Sequence, residues 1–114
     1  MPRKGTQKII EFKPDIQGET IRYTAVENGK TTGRILLTYH LTACVVKQIE
    51  ADNDETAEGL IRSALNAAGN RSVYTAAYEP ESFRNIAVLL GFEANGDKLT
   101  GEIPFLLTGH CGRH

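Results

Sequence analysis

The sequence predicts an α+β domain in which one mixed sheet is covered by helices. Three observations point there. In the first half, apolar and polar residues alternate in runs, the period of strands with one wet face. After Ala51 the apolar residues recur every three or four positions, the period of a helix with one buried stripe. A short β-like run and a second helical stripe follow, which orders the chain as an antiparallel meander, then strand, helix, strand, helix and strand.

Residues 8–12 form a short strand-like run, ended by the turn signal Pro14-Asp15. Only residues 13–19 link it to the next strand, too few for an intervening helix. Ile21, Tyr23 and Ala25 then alternate with Arg22 and Thr24, and Asn28-Gly29 offers two positions that tolerate positive φ, as a two-residue hairpin turn requires. The return strand runs from Thr32 to Leu41, and a break near Thr42 separates it from another strand, residues 43–50.

Asp52-Asn53-Asp54-Glu55-Thr56 combines N-cap residues with acids suited to the positive end of a helix dipole. Ala57, Leu60, Ile61, Ala64, Leu65 and Ala68 make the buried stripe, and Gly69-Asn70 closes the helix. Residues 73–78 are a short strand. Glu79-Pro80-Glu81-Ser82 is expected to start a second helix with Pro at its first position, buried through Phe83, Ile86, Ala87 and Leu90 and ended by Gly91. A turn-rich stretch, 93–97, leads to the last strand, 99–107, where Pro104 implies an edge or a bulge.

The chain has 114 residues, the size of one domain, with 40% apolar and 24% charged residues. No apolar run approaches the roughly 18 residues of a membrane span. No apolar segment of a secretion signal follows Met1-Pro2-Arg3-Lys4-Gly5, so a cytoplasmic location is expected. A net charge of -1 and the absence of Trp argue against nucleic acid as a partner. Cys44 and Cys111 are read as free thiols.

The segment Ala57-Glu58-Gly59-Leu60-Ile61-Arg62-Ser63-Ala64-Leu65-Asn66 is similar to the opening of the long helix of the GNAT acetyltransferases. Leu89-Leu90-Gly91-Phe92-Glu93 is similar to the ending of their later helix. The strand, helix, strand, helix order from about Ala43 to Phe92 thus resembles the acyl-CoA-binding core of that family. The resemblance implies a GNAT-like acyltransferase fold without its N-terminal helices, acetyl-CoA as co-substrate, and acetyl transfer to an amine. It also implies cofactor contacts from the strand end, Ile49, Glu50 and Ala51, and from the loop and helix start, Glu55, Thr56, Ala57, Glu58 and Gly59, whose backbone N–H groups would hold the pyrophosphate. Glu50 stands where many members keep a carboxylate that assists proton removal. Tyr78 is the candidate to protonate the leaving thiolate.

Departures accompany the likeness. Against the family's Arg/Gln-x-x-Gly-x-Gly/Ala loop, the positions fall on Asp52, Glu55 and Ala57, and only Ala57 fits. Acidic side chains at 52, 54, 55 and 58 oppose a pyrophosphate. The family's acid Tyr position falls near Ile86 or Ala87. Two other functions therefore stay open. One is a catalytically inactive binding or dimerisation module. The other is a metal- or thiol-based sensor built on His110, Cys111 and His114, which would need Cys44, His40 or a second chain to complete a zinc site. An open sheet edge at residues 99–107 further predicts a homodimer.

Overall fold

The computed structural model describes residues 9–109. Its elements are β1 (Ile10–Gln17), β2 (Thr20–Glu27), β3 (Lys30–His40), β4 (Ala43–Ala51), α1 (Asp54–Gly69), β5 (Thr75–Tyr78), α2 (Arg84–Leu90), β6 (Glu93–Asn95) and β7 (Lys98–Glu102). A π-helical turn, Phe105–Gly109, follows. All seven strands join one sheet in the order β1-β2-β3-β4-β5-β7-β6. Its β4–β5 pair is parallel and every other pair antiparallel, which makes the sheet mixed as expected.

Short turns build the meander. Asn28 and Gly29 take φ values of 56 and 80°, the left-handed geometry that matches the twist of a two-residue hairpin. The break after β3 falls at Leu41-Thr42, and the strands on either side pair from His40↔Ala43 onward. β1 does not stop at Pro14, as the sequence suggested, but runs on to Gln17. β1 is the outer strand of the sheet, so the missing N–H of proline costs no ladder bond there.

One face of the meander carries the core. Ile21, Ala25, Ile35, Leu37, Val46 and Ile49 are buried with the α1 residues Leu60, Ile61, Ala64, Leu65 and Ala68. α1 contacts β1 through β4 on that side and α2 packs against α1. The helix is capped at Asn53, within the run 52–56 that offered N-cap residues. On the other face Arg22, Arg34, Gln48 and Glu50 are exposed, and no helix of the described residues covers them.

The second half departs further from expectation. α2 starts at Arg84, not at Pro80. Glu79 is held by a bond from its N–H to the Val46 carbonyl, and the residue before a proline disfavours helical backbone, so the chain leaves β5 extended. A hairpin turn at Gly96-Asp97 makes 93–95 a strand, β6, which covers β7. The expected last strand ends at Glu102, and Ile103 and Leu106 turn inward and are buried. β7 therefore lies between β5 and β6, so the edge of the sheet on that side is β6 and not the 99–107 strand to which the homodimer expectation referred.

Gly33 sits on β3 where β4 and α1 both come close to it. A Cβ there would stand 2.7 Å from the Glu50 carbonyl oxygen, 3.1 Å from Ala51 Cα and 3.0 Å from a Leu60 methyl. Two of those neighbours are backbone and cannot swing aside. Gly33→Ala is accordingly expected to destabilise the protein by roughly 1–3 kcal/mol in urea unfolding; a neutral or stabilising effect would show that β4 yields.

Candidate active site

The site begins where two strands part. β4 and β5 pair from Ala43↔Thr75 to Val46↔Tyr78, and the last bond runs from the Glu79 N–H to the Val46 carbonyl at 3.1 Å. At that point β4 holds an extra residue, because Leu37 pairs with Val46 while Leu36 pairs with Gln48, leaving Lys47 in a bulge. A bulge bends its strand and increases the local twist. β5 turns off at Pro80, so residues 47–51 keep β3 on one side and meet no strand of the described residues on the other. The Asp52 N–H donates to the Thr32 carbonyl at 2.9 Å, toward β3. Strand alternation then turns the backbone groups of Ile49 and Ala51 toward the edge left open.

An ion pair spans the opening. The bulged Lys47 places Nζ 3.0 Å from Glu79 Oε1, and Lys98 of β7 lies 3.5 Å from Glu79 Oε2. The hydrogen bond from Lys47 holds the Glu79 carboxyl below its usual range; partial desolvation opposes this, and the charges of both lysines reinforce it.

A cleft of about 610 Å³ lies beside the parting, lined among others by Arg22, Thr24, Arg34, Gln48, Glu50 and Pro80. It occupies the sheet face opposite α1. Glu50 Oε1 accepts from Arg34 Nη1 at 3.3 Å, and the side chain is otherwise open to the cleft. A carboxylate there, next to an unpaired strand edge, has the reach to take a proton from an amine brought into the cleft.

The other residues singled out by sequence fall elsewhere. Thr56 and Ala57 are fully buried. The Thr56 N–H donates to Asn53 Oδ1 at 2.8 Å, and the Ala57 N–H to the Asn53 carbonyl at 3.1 Å. Those two amides, expected to hold an anion, are spent on the cap. The Thr56 hydroxyl is buried and has no hydrogen-bond partner among the described residues. Glu58 accepts from Arg62 at 3.0 Å, and Glu55, Glu58 and Gly59 line a separate hollow with Ile10 and Phe12 on the β1 side of the helix. Gly59 has a packing reason to be glycine, since a Cβ there would run into the Phe12 ring. Of the eight expected cofactor contacts, then, the structure sets Ile49, Glu50 and Ala51 at the open edge, buries Thr56 and Ala57, and turns Glu55, Glu58 and Gly59 to the hollow on the β1 side.

Tyr78 also stands apart. It points to the core side of β5 with Ala76, fully buried, its ring centroid 5.9 Å from that of Phe92. Its hydroxyl donates to the Ser82 carbonyl at 2.6 Å. Desolvation pushes its pKa up to about 12, against a smaller opposing effect of Arg84. The expectation that Tyr78 protonates a thiolate is corrected on this ground: the group is sealed from the cleft and its proton is committed to a backbone carbonyl.

His40 is exposed, with Nδ1 3.1 Å from Glu19 Oε2, and Cys44 is a buried free thiol whose pKa burial raises to about 11. Cys44 is thus enclosed in the core. No cluster of three or more His, Cys, Asp or Glu suited to a metal occurs among the described residues, and His110, Cys111 and His114 lie outside them. Sequence reasoning missed Arg22, Arg34, Gln48 and Lys47. Arg22, Arg34 and Gln48 share the wet face of β2–β4 with Glu50, visible only once the register is known, and Lys47 is set apart by the bulge.

No protein-family model matches the sequence, and no curated protein matches it. Solved structures are. The aminoglycoside 6'-acetyltransferase type Ii superposes with a TM-score of 0.66 at 15% identity, covering 75% of this chain and 70% of that one. The ribosomal-protein-S18-alanine N-acetyltransferase from Escherichia coli gives 0.63 at 16%, covering 76% and 72%. An acetyltransferase of the GNAT family from Staphylococcus aureus gives 0.65 at 13%, covering 75% and 68%. The chain has the α+β fold of the GNAT acetyltransferases, with a two-residue turn in place of any helix between its first two strands.

Two predictions follow from these contacts. Tyr78→Phe leaves a part-buried carbonyl without its donor and should cost about 1–2 kcal/mol in urea unfolding; a neutral result would mean that water replaces the hydroxyl. For Glu79 the folded pKa lies below the ordinary value of 4.5. Its contribution is therefore complete above 4.5 and lost as the pH falls through the lower folded value. Glu79→Gln should narrow the gap between the urea midpoints at neutral pH and at about pH 3. An unaltered gap would argue that the two lysines do not hold the carboxylate in solution.

Proposed function

We propose that this protein is an N-acetyltransferase that moves an acetyl group from acetyl-CoA to an amine. The observation that carries the reading is the parting of β4 from β5 beside Glu50. The unpaired main-chain groups of Ile49 and Ala51 are suited to bond the amides of a pantetheine arm as a further strand would. Such a placement sets a thioester beside the cleft, and proximity then supplies much of the rate. The amine nitrogen attacks the thioester carbonyl, a C–N bond forms, and the C–S bond breaks. Glu50 takes the proton released by the amine. The thiolate leaves into a cleft open to water, which protonates it without a tyrosine.

The diphosphate end of the co-substrate fits less well. Asp52, Asp54 and Glu55 surround the start of α1, and the cap uses the amides of Thr56 and Ala57. Binding therefore depends on the strand edge more than on the helix. The same observation supports a second reading, a catalytically inactive GNAT-like binding module.

Titration with acetyl-CoA separates the two. A ligand that binds the native state at a hundredfold over its Kd adds about 2.7 kcal/mol of stability. The enzyme reading expects a rise in the unfolding midpoint at millimolar acetyl-CoA and amine-dependent release of CoA, with Glu50→Gln lowering kcat/KM roughly 100-fold. No rise in the midpoint would remove the enzyme reading and leave the binding module.

A further inference from the structure

The uncovered face of β2–β4 carries charge that proton removal does not use. Cross-strand pairing sets Arg22, Leu36 and Gln48 in one row and Thr24, Arg34 and Glu50 in the next. All six line the cleft. Arg34 is occupied by Glu50 at 3.3 Å. Arg22 is exposed, and the acid opposite it on β1, Asp15, accepts instead from Gln17 Nε2 at 3.2 Å. Arg22 has neither a hydrogen bond nor an ion pair among the described residues.

Two guanidinium groups thus line the cleft, Arg22 on β2 and Arg34 on β3, with the Glu50 carboxylate beyond them on β4. A guanidinium fork matches the geometry of a carboxylate or a phosphate, and a free one beside a cleft attracts such a group before any other. Arg22 on β2 and Glu50 on β4 lie two strand spacings apart and two residues out of level, which separates their backbones by roughly 12 Å. We infer that the acceptor is an amine that also carries an anionic group, a carboxylate or a phosphate, seated by Arg22 while its nitrogen faces Glu50. A diamine is disfavoured, because its second cation would lie against Arg22. The role of the nitrogen rests on the N-acetyltransferase reading; recognition of the anion does not.

Calorimetric titration of the protein without acetyl-CoA tests this with amines of matched length. ε-Aminocaproate or aminohexyl phosphate is expected to bind about tenfold or more tightly than hexylamine and hexanediamine. The tighter of the two anionic probes identifies the anion. Arg22→Ala should abolish the preference and Arg22→Lys should retain part of it; Arg22→Gln serves if the alanine variant unfolds. Equal binding of hexylamine and both anionic amines would overturn the inference. So would a preference that survives in Arg22→Ala. Because acetyl-CoA is absent from the titration, its failure to bind would defeat the enzymatic reading and leave this result standing.

Discussion

β4 and β5 hold each other only as far as Val46 and Tyr78, and the candidate site is a consequence of that limit. Up to there the parallel ladder satisfies both backbones. Beyond it, the bulge at Lys47 bends one strand while Pro80 diverts the other. A strand interior to a sheet is thereby given a stretch of free edge, which is an uncommon thing for a central strand to have. The ion pair from Lys47 to Glu79 joins the two sides at the mouth of the gap, so the separation is bounded by charge as well as by backbone.

The two faces of the meander divide the work of the domain. The α1 face is uniformly apolar and closely packed, to the point that Gly33 and Gly59 have no room for a side chain. That density fixes the register of β2, β3 and β4, and the register in turn decides which side chains meet on the other face. Arg22, Arg34, Gln48 and Glu50 are neighbours because Ile21, Ile35 and Ile49 are buried beneath α1. The chemistry of the cleft is thus positioned from behind, by a core it does not touch.

Much of the fold was legible because the determining signals are local. Asn28-Gly29 specifies its own turn, Asn53 caps its own helix, and the stripe from Ala57 to Ala68 needs only its spacing. What could not be read depends on neighbours distant in sequence. Pro14 is tolerated because its strand is outermost, and the late start of α2 reflects bonds from Glu79 to Val46 and from Tyr78 to Ser82. The hairpin of β6 and β7 did have a local mark, in Asn95-Gly96-Asp97, yet only the pairing with β5 makes its strands recognisable. Of the site, Glu50 was accessible as a polar residue at a strand end. Tyr78 misled because four residues of alternation do not say which phase is buried, and the arginines were hidden because register is not a property of any one strand.

The closing turns of the meander bear on how quickly the domain assembles. β1 through β4 are sequence neighbours that are also sheet neighbours, each joined to the next by two residues. Their contacts close small loops, for which the entropic cost is modest and formation is fast. The parallel pairing of β4 with β5 must instead wait for α1 to span the gap between them, and β5 finds β7 only across α2 and β6. The strand edge proposed to receive the co-substrate thus forms with the early, local half of the sheet. The partner that leaves it open arrives with the slow half.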